Sequence, residues 1–115
     1  MNRFSFGLWC EKQVAQHLEC VKGWLVLARR VRFRGGEVDL IAESTEGELF
    51  FVEVKGRRNR EFGSPLEAMT ELKLHRLRRT ALEWKRRQND FREARFLFVG
   101  VELVDGQPVL EFLEF

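Results

Sequence analysis

Apolar residues recur at helical spacing over residues 7–22, where Leu8, Ala15 and Leu18 mark one stripe and Val14 and Val21 support it. Ser5 stands in position to cap that helix, and Gly23 to end it in a left-handed conformation. Glu11 falls on the same stripe, which is unusual because burying an unpaired charge is costly. From residue 24 the period changes. WLVLARRV at 24–31 reads as a strand, residues 32–36 as a basic, glycine-containing bend, and GEVDLIAE at 36–43 as a second strand. FFVEVKGR at 50–57 supplies a third, joined to the second across a turn at 44–47 as an antiparallel hairpin.

Side chains alternate along a strand, so Phe51, Glu53 and Lys55 share one face and Phe50, Val52 and Val54 the other. The second strand repeats the arrangement, with Glu37, Asp39 and Ile41 on one face and Val38, Leu40 and Ala42 on the other. Register decides whether Asp39 meets Glu53. A four-residue loop sets Asp39 opposite Val52, whereas a five-residue loop or a bulge brings it opposite Glu53.

After a polar loop at 56–64, Pro65 suits the first turn of a long helix reaching residue 88. Its apolar face is Leu66, Leu74, Leu77, Ala81 and Trp84. Lys73 at the border is placed to reach the sheet, while Arg76, Arg79, Arg86 and Arg87 lie further round and face outward. RFLFVGVEL at 95–103 follows that helix, so it pairs parallel with the third strand by a crossover. Asp105 and Gly106 then turn the chain into a last strand, PVLEFLEF. The order predicts an α/β fold, a mixed sheet of about five strands flanked by helices, with the strand bearing Glu53 and Lys55 at its centre.

At 115 residues the whole chain, 1–115, is expected to be one domain. The 44% hydrophobic and 33% charged content argues against disorder. A net charge of +2 conceals a local basic excess between residues 55 and 95, while residues 96–115 carry four acids and no Lys or Arg. Such a surface suits a polyanionic partner, and in sequence it is indistinguishable from a solvated helix face. Cys10 and Cys20 are too few for a disulfide framework or zinc site, and MNRFSFGLWCEKQ has no long apolar core. A cytoplasmic protein with no membrane association is the expectation.

Asp39 and Glu53 on adjacent strands, Lys55 beside them and Glu11 facing them from the first helix are the candidate chemistry. Crowded carboxylates repel unless a cation neutralises them, and hard oxygen donors suit Mg²⁺ or Mn²⁺. Lys55 would orient a water or stabilise transition-state charge, which together suits phosphodiester hydrolysis. The plain alternative is a solvated Glu53–Lys55 pair on an open sheet face. His17 and His75 are isolated, no serine has a partnered histidine, and no glycine-rich phosphate loop occurs. Arg57, Arg58 and Arg60 would contact phosphates beside the site.

Gly7, Glu11, Ala15, Leu18 and Gly23, then GEVDLIA, FFVEVKGR, and Lys73, Arg76 and Ala81 along a helix, together resemble the YraN (UPF0102) family over nearly the whole chain. That family resembles archaeal Holliday junction resolvases and restriction-endonuclease-like PD-(D/E)xK nucleases. The resemblance implies a three-layer restriction-endonuclease-like fold. It implies that Asp39 and Glu53 are metal ligands, with the Val54 carbonyl a third, that Lys55 positions the attacking water, and that Glu11 is a helix-borne acid. No proline precedes Asp39, and Leu97 stands where family members tend to carry Asp.

Two functions follow as expectations. One is a metal-dependent endonuclease cutting DNA, branched or structured, with Glu11, Asp39, Glu53 and Lys55 catalytic and Arg57, Arg58, Lys73 and Arg76 on the nucleic acid. The other is a non-catalytic nucleic-acid-binding module on the same scaffold. A two-fold homodimer would present two sites to two strands.

Overall fold

The computed structural model describes residues 1–59, 61 and 63–115; Arg60, named above as a phosphate contact, lies outside them. The chain runs α1 (Arg3–Cys20), β1 (Leu25–Phe33), β2 (Gly36–Glu43), β3 (Leu49–Arg57), a 3-10 turn (Pro65–Ala68), α2 (Glu71–Gln88), β4 (Ala94–Val104) and β5 (Gln107–Glu114). The five strands form one mixed sheet in the order β1-β2-β3-β4-β5, antiparallel except for the β3–β4 pair. Parallel pairing is what the α2 crossover demands, and β3 is central. One helix lies on each face, the three-layer arrangement of a restriction-endonuclease-like fold.

Each helix seals one face with its own core. Phe6, Cys10, Val14, Ala15 and Leu18 of α1 pack on Leu40, Ala42, Phe50, Val52 and Val99. Leu77, Ala81 and Trp84 of α2 pack on Val38, Ile41 and Phe51, whose ring meets Trp84 edge-on at 5.8 Å. Burying each such side chain contributes about 1.5–3 kcal/mol, so the two cores fix both helices to the sheet.

The first helix departs from the predicted one. It begins at Arg3, capped by the Asn2 side chain, which accepts from the Ser5 N–H at 2.8 Å, so Ser5 lies inside the helix. Its stripe is Phe6-Cys10-Val14-Leu18 at strict four-residue spacing, leaving Leu8 and Val21 exposed. Gly23 does take the left-handed conformation, φ +71°, and Trp24 N–H closes the end on Leu18 O at 2.8 Å.

The second helix also differs, because its predicted span is two pieces. Ser64 and Glu67 close a capping box on the 3-10 turn, and Thr70 then caps α2 afresh by accepting from Lys73 N–H at 3.2 Å. Likewise the bend expected at 32–36 shrinks to a two-residue turn, Arg34-Gly35, because β1 continues to Phe33. Its tip docks on α2 at Gly36, where a Cβ would lie 2.5 Å from Thr80 Oγ1 and 3.1 Å from the Arg76 carbonyl. Glycine is required there by the close approach.

Candidate active site

The loop between β2 and β3 holds five residues, 44–48, closed by Ser44 N–H on Glu48 O and Gly47 N–H on Ser44 O, each at 2.9 Å. That length sets the register Glu43↔Leu49 through Leu40↔Val52, and one step further brings Asp39 level with Glu53. There the ladder stops. β2 stays with β1 as far as Gly36↔Phe33, and β3 stays with β4 as far as Arg57↔Glu102, so the sheet forks beyond Asp39. In the fork the Val54 N–H donates to the Asp39 carboxylate Oδ2 at 2.7 Å.

A cavity of about 670 Å³ opens at this fork, lined by Asp39, Glu53, Val54, Lys55, Lys73 and Arg76 among others. Burial raises the pKa of Glu53 to about 10, reinforced by the neighbouring Asp39 charge and by their mutual hydrogen bond, and opposed by Lys73. Asp39 is likewise raised, by burial, against the hydrogen bonds from Glu53 and Val54. The two carboxyls thus hold a proton between them, as like charges in a desolvated site must. Burial, with the charges of Arg57 and Lys73, lowers the pKa of Lys55, so its ammonium gives up a proton more readily than usual.

Glu11 lines the adjoining cavity of about 790 Å³ on the α1 side, which shares Val54 and Lys55 with the first. Burial and then the Asp39 charge raise its pKa to about 7, so the two cavities are one electrostatic unit. Among the described residues no three His, Cys, Asp or Glu side chains cluster closely enough to enclose a metal on their own.

The model of the Uncharacterised protein family UPF0102 matches residues 10–101, which span both strands of the fork, all of α2 and α1 from Cys10 onward. The chain belongs to the UPF0102 family. A UPF0102 protein of Syntrophomonas wolfei is 41% identical over 98% of this chain and 96% of its own length. One from Nocardia farcinica is 43% identical over 98% and 89%, and one from Bifidobacterium longum 37% over 96% and 90%.

Of the residues singled out in the sequence, the structure brings together Asp39, Glu53, Val54, Lys55, Lys73 and Arg76. Arg76 is exposed, as its helical position suggested, and it also lines the cavity, whose wall the docked β1–β2 turn completes. Arg57 and Arg58 line the Glu11 cavity instead. Arg58 serves the fold there, donating to the Met1 and Asn2 carbonyls and stacking on Phe6 at 4.9 Å.

Arg30 was missed. It stands on β1 between the pairs Arg29↔Leu40 and Val31↔Val38, hence opposite Asp39, with φ 52°, rare for a non-glycine residue. Its charge acts on both Asp39 and Glu11, opposing the rise that burial imposes on each. The twist it marks accompanies the break in alternation by which Val38 and Ile41 both face α2. No propensity in ARRVRF signals this. Among the described residues no helix is long and apolar enough to cross a membrane.

Proposed function

We propose that the fork is the hydrolytic centre of a metal-dependent endonuclease that cuts phosphodiester bonds in DNA, branched or structured. One observation carries the reading. Two carboxyls from adjacent strands are desolvated against each other at the point where the sheet opens, with Lys55 one pleat away and Lys73 and Arg76 across the cavity. A purely structural cluster would gain nothing from crowding two acids, since burying them unpaired opposes folding.

The donor set fits Mg²⁺ or Mn²⁺, which are held by one or two carboxylates and keep the rest of their shell for water and phosphate oxygens. Asp39, Glu53 and the Val54 carbonyl would hold the ion, and when bound it supplies Lewis-acid stabilisation of phosphoryl oxygens and a more acidic water. Val54 N–H fixes the Asp39 carboxylate in place before any substrate arrives. Lys55, with its lowered pKa, positions the attacking water and offsets negative charge growing on the phosphoryl oxygens. Glu11, poised near neutrality, is placed to take or return a proton from the α1 side. Lys73 and Arg76 hold the substrate phosphate, contacts that carry no base information.

The test is incubation of the protein with four-way, flapped and linear DNA in Mg²⁺ or Mn²⁺ and in EDTA. The reading expects metal-dependent internal cleavage, greatest on the branched substrates. Binding without cleavage in either metal would replace it with the non-catalytic binding module.

A further inference from the structure

The cavity holding the carboxylates shares Phe33 and Gly35 with a further cavity of about 590 Å³ that continues over the β1–β2 turn and the middle of α2. Arg34 on the turn and Arg79 on the helix both stand in it. Neither has an ion-pair partner among the described residues, in contrast to three arginines close by. Arg86 and Arg87 are tied to Glu83 at 2.6 and 2.7 Å, and Arg32 to Glu37 at 2.8 Å. Arg79 lies across Gly35, where a Cβ would sit 3.6–3.9 Å from three guanidinium atoms, so the turn and the helix hold its head in place.

Unpaired cations lining a concavity repel one another, and a polyanion relieves that repulsion. From Lys73 to Arg79 is six residues, about 9 Å along a helix axis. Neighbouring phosphates wind round the duplex and are separated by more than their rise along its axis, so this offset suits phosphates that are close neighbours on one strand. The ring of Phe33 has Arg87 over it at 4.5 Å, which leaves that face closed to a stacking base. Contact in this cavity is therefore with the backbone.

Building on the nuclease reading of the fork, we propose that Arg34 and Arg79 form a second phosphate subsite, which grips the same DNA strand at a phosphate close to the bond to be cut. The subsite sets affinity and salt dependence and leaves sequence preference unchanged.

The experiment is fluorescence anisotropy of a labelled branched DNA and a labelled duplex in EDTA, where no cleavage occurs, as salt is raised. Wild type is compared with Arg34→Glu, Arg79→Ala, the double variant, and Lys12→Ala on the exposed side of α1, with circular dichroism to verify folding. Arg79→Ala is expected to lower the slope of log affinity against log salt by about 1, and the charge-reversing Arg34→Glu by at least that much, equally across sequences, while Lys12→Ala leaves it unchanged. Arg34 sits in an exposed turn, so Arg34→Glu reports even if Arg79→Ala disturbs packing against Gly35. If wild type binds and the double variant keeps its affinity and slope, the subsite is wrong and the nuclease reading stands. If wild type binds no DNA at all, the nuclease reading falls and the subsite with it.

Discussion

Raising the pH of the metal-free protein from about 5 to about 8 should lower its melting temperature, and Glu53→Gln should remove much of that fall. The folded Glu53 carboxyl has its pKa raised from 4.5 to about 10, so the native state keeps a proton that the unfolded chain releases. A raised folded pKa contributes stability that is complete below the unfolded value and is lost as pH climbs toward the folded one. A fully shifted group loses about 1.4 kcal/mol per pH unit in that window. The cavity is open to solvent, which screens the pair, and a working value of about 2 kcal/mol over the whole interval is appropriate. At about 4 °C per kcal/mol for a domain near this size, the melting temperature drops by about 8 °C. Glu11, raised to about 7, adds a smaller contribution of the same sign that survives in the Gln variant. The carboxyls with lowered values, Glu83 and Asp90, lose their contribution only as pH falls through the carboxylate range, outside the window. Thermal unfolding by circular dichroism in EDTA at each pH checks this. A wild-type melting temperature that is flat or rises, or a Gln variant that falls as steeply, would refute the crowded-carboxyl account.

At about pH 8, Mg²⁺ at 100 times its dissociation constant should raise the wild-type stability by about 2.7 kcal/mol, read as a melting-temperature increase that Asp39→Asn lacks. Gly56→Ala places a Cβ against Cys10 Sγ and 2.9 Å from Phe6 Cε2. It should cost about 1–3 kcal/mol in urea unfolding, and Cys10→Ala in the same chain should recover part of the loss, so the two changes are not additive. Phe51→Ala, at a fully buried ring beneath Trp84, should cost about 3–5 kcal/mol by the same measurement. Arg30→Asn should be tolerated, whereas Arg30→Val, β-branched in a left-handed conformation, should cost about 1–2 kcal/mol.

The two strands that build the site were legible because their chemistry interrupts a strict alternation. GEVDLIAE and FFVEVKGR each place charged groups on one face of a strand whose other face is apolar, and the structure puts Asp39 and Glu53 level as a five-residue loop requires. The choice between a four- and a five-residue loop was not legible, since it rests on Ser44 pairing with Glu48, a detail of hydrogen bonding rather than pattern. On α1, Phe6 and Cys10 lost to Leu8 and Val21 as core candidates because hydrophobicity alone does not say which of two overlapping stripes meets the sheet. Ser64 and Thr70 both carry capping signals, and Pro65 drew the helix start to the first of them. Arg30 stayed hidden because its position follows from a left-handed backbone within β1, and Arg34 and Arg79 for a common reason. Their roles depend on where the β1–β2 turn docks, and that is set by the contact of Gly36 with Thr80 and the Arg76 carbonyl, two segments 40 residues apart in sequence.

The most direct test of the central claim is single-turnover cleavage of a branched DNA in Mg²⁺ by wild type, Asp39→Asn and Lys55→Ala, with DNA binding measured in parallel in EDTA. Wild type should cut, and each variant should bind while its cleavage rate falls by at least about 10²-fold. Variants that cut at the wild-type rate, or a wild type that binds without cutting, would contradict that claim.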